Sequence, residues 1–148
     1  MKKYVFISIT MLFMMNVILG QDLRSSQVPE KIRHEFKQAF PKAKDVSWEK
    51  KGDLYVVEFE IGFWNNDRKA WYDRQAKRVG YKEDIPKKEL PESVKNAINK
   101  NYKYYWTKDV EKHISRDRVT YEVELKSFTK EWKVIFDSGG EELSKVSD

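Results

Sequence analysis

Leu54-Tyr55-Val56-Val57-Glu58-Phe59-Glu60-Ile61 decides the fold, because its pattern returns downstream as Thr120-Tyr121-Glu122-Val123-Glu124-Leu125-Lys126. Apolar side chains take every second position: Tyr55, Val57, Phe59 and Ile61 in the first stretch, Tyr121, Val123 and Leu125 in the second. That is the two-residue period of a strand with one buried face. Glu58 and Glu60, or Glu122 and Glu124, fall on the other face. The flanks repeat as well. Val28-Pro29-Glu30 precedes the first stretch as Leu90-Pro91-Glu92 precedes the second, and Tyr72-Asp73 follows the first as Phe136-Asp137 follows the second. The offset is 62 at the prolines, 66 at the tyrosines and 64 at the aspartates, which predicts a tandem duplication with small loop differences.

Upstream of the first stretch, Val28, Ile32, Phe36 and Phe40 recur every four residues with Ala39 beside them. This predicts an amphipathic helix opening at Pro29, where a missing N–H costs nothing, and stopping before Pro41. Val46-Ser47-Trp48, a turn at Lys51-Gly52-Asp53, the quoted strand, a turn at Phe63 to Asp67, a strand at Lys69 to Tyr72, a turn at Asp73 to Ala76 and a strand around Val79-Gly80-Tyr81 complete the first unit. The second repeats this order. A helix from Pro91 carries Leu90, Val94, Ala97, Ile98 and Tyr102 on one side, and a strand around Val110 to Ile114 and a turn at Ser115 to Arg118 follow. After the second quoted strand come Trp132 to Phe136, a hairpin turn at Asp137-Ser138-Gly139-Gly140 and Glu141 to Leu143.

The fold class is therefore α+β: a tandem repeat of one helix plus four antiparallel strands, over 28–82 and 90–148 with 83–89 as linker, in two layers with the helices on one face of an antiparallel sheet. Ile32, Phe36, Val94 and Ile98 are expected to meet Tyr55, Val57, Phe59, Tyr121, Val123 and Leu125 in one core. Residues 21–27 read as a frayed polar lead-in and the last residues as loose.

Lys2-Lys3, the nearly uncharged apolar run Tyr4 to Gly20 and the small Gly20 before Gln21 read as a secretory signal peptide over 1–20. The run contains Asn16 and its seventeen residues sit at the lower limit for a membrane span, so cleavage is preferred to anchoring. A periplasmic or secreted protein follows, with no membrane attachment after cleavage. Loss of Lys2 and Lys3 lowers the net charge of the 148-residue chain from +5 to +3, with 27 basic against 24 acidic side chains. These charges are interspersed rather than blocked, which argues for a solvated surface and against a nucleic-acid partner. The absence of cysteine excludes a disulfide framework, a thiol nucleophile and a lipidated junction. With 40% hydrophobic and 36% charged residues, the remainder is a globular chain with a core of its own.

Paired carboxylates at Glu58 and Glu60, or Glu122 and Glu124, could divide acid and base roles, but alternate glutamates are also what the wet face of a half-buried sheet carries. His34 and His113 sit in different units without a second ligand at a zinc-site spacing, so both read as surface histidines. Asp137 to Gly140 lacks the oxygen series of a calcium loop. No glycine-rich phosphate loop or nucleophile elbow occurs. The reading is that the protein is not an enzyme, with no catalytic residue, no metal and no cofactor.

The more informative residues are those on the helix-free face. Trp71 and Ile135 fall there with Leu54 and Val56, among Lys69, Lys133, Glu58, Glu122 and Glu124. An apolar centre with a charged rim is the make-up of a protein-binding surface. The expected partner is an exported or envelope protein, and a monomer suffices for the binding surface.

With that order in hand, the chain resembles the PepSY-like family of exported bacterial proteins, whose fold is that of the beta-lactamase inhibitor protein. The residues that carry the resemblance are Val28-Pro29 with Phe36, Phe40 and Pro41, Val46-x-Trp48, Tyr55-x-Val57-x-Phe59 and Tyr72-Asp73. In the second unit they are Leu90-Pro91, Val94, Ile98 and Tyr102, Tyr121-x-Val123-x-Leu125 and Phe136-Asp137-x-x-Gly140. The resemblance implies a non-enzymatic module of two units joined into one sheet, and related domains are associated with restraining peptidases. Inhibition of a beta-lactamase does not carry over, because none of that inhibitor's contact residues is matched. Two departures stand out: Lys103 replaces the proline seen at Pro41, leaving the second helix end unmarked, and Gln75-Ala76 replaces Gly139-Gly140, predicting a different hairpin because alanine tolerates positive φ poorly. The function expected is recognition, with inhibition as one outcome, of an envelope or secreted protein through the helix-free face; the alternative is a small-ligand carrier of the cell envelope.

Overall fold

A computed structural model describes residues 20–62 and 67–147. The expected signal peptide, up to residue 19, and the expected turn at 63–66 lie outside the described residues. The elements in chain order are β1 (Gln21–Leu23), α1 (Glu30–Ala39), β2 (Lys44–Lys51), β3 (Leu54–Glu60), β4 (Asp67–Tyr72), β5 (Arg78–Asp84), α2 (Glu92–Asn101), β6 (Trp106–Ser115), β7 (Arg118–Lys126), β8 (Glu131–Asp137) and β9 (Glu142–Ser147). Among the described residues the nine strands form one open antiparallel sheet in sequence order. With two helices this is an α+β fold.

Three expectations are corrected at the strand ends. Residues 21–23 are not frayed but form β1, whose Leu23 pairs with Trp48 and packs against the first core. β5 runs to Asp84 and pairs with β6, so the linker expected over 83–89 begins two residues later and the halves join directly through Tyr81–Ile114 and its neighbours. The C-terminal residues extend β9 to Ser147 along β8, although their side chains are exposed.

The helices follow the predicted stripes. α1 buries Ile32 and Phe36, which pack with Trp48, Val57, Phe59, Ala70 and Tyr72. α2 buries Val94 and Ile98 against Val110, Val123, Leu125, Val134 and Phe136. The single core expected from sequence is thus two clusters, one per helix, and Tyr55 flanks the first rather than filling it. Each helix closes alike: the Phe40 N–H donates to the Phe36 carbonyl and the Tyr102 N–H to that of Ile98, both at 2.8 Å. The second needs no proline after it, because buried Tyr102 is anchored by its hydroxyl, which donates to Glu142 at 2.6 Å.

The hairpin expected to differ does not. At Asp137 the side-chain Oδ1 accepts from the Gly139 and Glu141 N–H groups, and its carbonyl accepts from Gly140. At Asp73 the same atoms accept from Gln75, Lys77 and Ala76. Ala76 therefore adopts φ 67, as Gly140 adopts φ 85, against alanine's preference. The aspartate bonds and the burial of its methyl group in the first core impose that conformation. Gly140 has no such freedom to carry a methyl: a Cβ there would lie 2.5 Å from the Ser93 carbonyl oxygen at the start of α2.

Candidate functional site

Strand positions that alternate with the buried ones carry the residues singled out in the sequence: Leu54, Val56 and Glu58 on β3, Lys69 and Trp71 on β4, Glu122 and Glu124 on β7, Lys133 and Ile135 on β8. Trp71 is half-buried and lies against its register partner Gly80, where a Cβ would meet the indole at 3.2 Å. The missing side chain at residue 80 is what lets the ring rest on the strand. Leu54, Trp71, Val79, Gly80 and Ile114 line an open hollow of about 640 Å³.

Two corrections concern this face. Val56 stands between Glu49 and Trp71 in the ladder and is only 1% exposed, so it forms the floor under its neighbours instead of offering contact surface. Trp71 and Ile135 do not make one apolar centre. β4 and β8 are four strands apart in the sheet order, about 19 Å across the sheet at the spacing of neighbouring strands, and the register from Trp71 through Gly80 and Ser115 reaches Arg118 rather than Ile135's partner Glu122, so they are offset along the strands as well.

Between them runs a charged band that sequence periodicity alone did not assemble. Glu58 pairs across the ladder with Lys69, Lys69 with Lys82, and Lys82 with His113. Beside this mixed row lies an acidic one: Glu60 opposite Asp67, Asp84 opposite Glu111, Glu111 opposite Glu122, and Glu122 opposite Ile135. Lys69 binds Glu58; Lys82 Nζ donates to Glu111 Oε1 at 2.6 Å; and Lys108 binds Glu124 and, at 3.0 Å, Glu131. A second hollow of about 400 Å³ opens over Glu58, Asp67, Lys82, Asp84 and Glu111.

Crowding of like charge leaves its mark on the protonation of this band. Burial first, then the carboxylates of Asp109, Glu111 and Asp67, push Asp84 up to about 6, with Lys82 opposing them. Glu111 moves the other way, to about 2, because hydrogen bonds from His113 and Lys82 favour its charged form more than burial opposes it. On the buried side Tyr81 is pushed up to about 12 by burial and by Glu83, whose carboxylate accepts its hydroxyl at 3.0 Å.

Asp84, Asp109 and Glu111 are not singled out by the sequence and His113 is read there as a surface histidine, although Asp109, Glu111 and His113 alternate along β6, because which residues flank that strand is not local information. The signal that could have found them is the two-residue turn Arg116-Asp117, which pairs Ser115 with Arg118 and so makes partners of His113 and Thr120, and of Glu111 and Glu122.

The family model described as "Putative beta-lactamase-inhibitor-like, PepSY-like" matches residues 18–63 and 58–143. The chain belongs to this family. Solved structures share the fold of this PepSY-like protein. A DUF2874 family protein from Bacteroides uniformis is 23% identical with a TM-score of 0.70, over 81% of this chain and 89% of that one. A BLIP-like protein from Bacteroides fragilis is 21% identical with a TM-score of 0.65, over 80% and 85%. A Bacteroides eggerthii protein described as "putative periplasmic" is 18% identical with a TM-score of 0.70, over 81% and 88%. No curated protein matches the chain. No helix among the described residues is long and apolar enough to cross a membrane.

Proposed function

We propose that this PepSY-like chain is an exported, non-enzymatic binding protein made of two tandem units whose helices cover one side of the sheet, and that it recognises an envelope or secreted protein through the other side. Restraint of that partner's activity is one consequence of occupying it. The observation that carries the reading is the contrast between the two parities. Positions under α1 and α2 are closed over, whereas the alternate positions keep Trp71 and Ile135 half-exposed at the two ends of a charged band. Burying a tryptophan at an interface centre is commonly worth about 2 kcal/mol or more. The ladder of Glu58, Lys69, Lys82 and Glu111 would set orientation and association rate more than affinity. The description of the Bacteroides eggerthii structure as "putative periplasmic" supports the exported reading, as do Lys2-Lys3 and the apolar run after them.

The test is a pull-down from envelope extract with wild type beside Trp71→Ala and Ile135→Ala, each shown by melting to be folded. The proposal expects one polypeptide whose recovery falls at least fivefold with either variant. Undiminished recovery by both would place the site elsewhere. The hollow beside Trp71 gives the carrier reading a location too, and native mass spectrometry of the freshly purified protein separates the two: a stoichiometric small molecule lost on Trp71→Ala would favour the carrier.

A further inference from the structure

Glu111, His113 and Glu122 form a cluster within the charged band of the recognition surface whose chemistry goes beyond what recognising a polypeptide requires. Glu111 and His113 are two residues apart on one face of β6, and Glu122 is the register partner of Glu111 on β7. One donor atom from each lies within 4.8 Å of the other two, and all three residues are half-buried. We propose that these three side chains are a binding site for a borderline transition-metal dication of the Zn²⁺ type, held by one imidazole nitrogen and two carboxylate oxygens with a coordination position left open.

The donor set is the first argument. Imidazole with carboxylate suits zinc and its neighbours, whereas calcium and magnesium take oxygen donors in larger number. Geometry is the second. Ligand atoms at about 2.1 Å from a tetrahedral zinc lie about 3.4 Å from one another. His113 Nε2 and Glu111 Oε2 already stand 3.0 Å apart, and the third donor, within 4.8 Å, needs a side-chain shift of at most about 1.4 Å to join them. The arrangement around Glu111 is the third. Its Oε1 is held by Lys82, so Oε2 is the oxygen turned to His113, and Lys82 would remain as the outer partner that fixes the carboxylate. Asp84 on the neighbouring strand β5 and Asp109 on β6 itself add negative charge that a dication offsets better than Lys82 alone.

The experiment is titration calorimetry of the purified protein, without a histidine tag, with ZnCl₂ and separately CaCl₂, alongside His113→Ala, Glu122→Gln and His34→Ala. His34 is the only other histidine and sits on the exposed side of α1. The proposal expects one zinc per chain. Affinity should fall at least tenfold with His113→Ala and with Glu122→Gln and stay unchanged with His34→Ala, while zinc raises the melting temperature of wild type and of His34→Ala by the same amount and that of the other two variants by less. CoCl₂ in place of zinc should give visible d–d bands that vanish in His113→Ala. Absence of saturable zinc binding, undiminished binding by His113→Ala in a variant that melts as wild type does, or calcium binding as tight as zinc would each overturn it.

Discussion

Replacing Phe59 by alanine tests the parity on which every other assignment rests. The side chain is 2% exposed, and its ring lies 5.0 Å from that of Phe36 and 4.6 Å from that of Phe40. Truncating a buried phenylalanine costs about 3–5 kcal/mol, part of it from the cavity left behind. The edge-on contact with Phe36 adds about 0.5–1.5 kcal/mol of pairing beyond area. A total of about 5 kcal/mol should lower the melting temperature of a chain this size by roughly 15–20 °C. Urea unfolding followed by circular dichroism measures the loss, with Trp71→Ala on the alternate parity as control at about 1 kcal/mol or less. The double variant Phe36→Ala/Phe59→Ala should fall short of the summed single losses by about 1 kcal/mol, since each single change already removes the pair. A Phe59→Ala midpoint within the error of wild type, or a Trp71→Ala loss as large as that of Phe59→Ala, would refute the strand register.

The two hairpins give an asymmetric prediction: Gly140→Ala should destabilise by about 2–4 kcal/mol, combining an unfavourable φ with a clash against Ser93, whereas Ala76→Gly should change stability by less than about 1 kcal/mol because relieved strain offsets the lost methyl contact. Equal losses at both sites in chemical unfolding would contradict this. Asp84 predicts a pH dependence of definite sign. Its folded value of about 6 lies above the unfolded one, so it favours folding while protonated, and stability drains away as pH rises from about 4 through 6. Asp84→Asn should therefore match wild type near pH 4 and exceed it at pH 7, by no more than about 1 kcal/mol once solvent screening is allowed for. A difference that is constant or larger at pH 4 would remove the argument.

How far the sequence reads depends on how local the signal is. The two strand stretches, both helix faces and the hairpin at Asp137 follow from periods of two and four and from turn chemistry, all of which lie within a few residues of chain. β1 escaped because three polar-flanked residues have no period to show, and it forms only by adding an edge to β2. The Asp73 hairpin escaped for a different reason: propensity argues against Ala76 in the left-handed region, yet Asp73 makes the same bonds as Asp137 and overrides it. On the second face, the period of two says which residues alternate with the core but neither their exposure nor their distances along the sheet: Val56 is buried, and four strand spacings separate Trp71 from Ile135. The Glu111–His113–Glu122 cluster needs the β6–β7 register, which the short turn at Arg116-Asp117 encodes only when the pairing is followed four residues outward.

The central claim, that the face bearing Trp71 and Ile135 is the one that meets a partner, is tested most directly by site-specific photo-crosslinking in the native host. A benzophenone amino acid would be placed at position 71, at position 135, or at Lys37 on the exposed side of α1. Positions 71 and 135 should each give one polypeptide adduct of the same mass, and position 37 none. An adduct from 37, with none from 71 or 135, would contradict it.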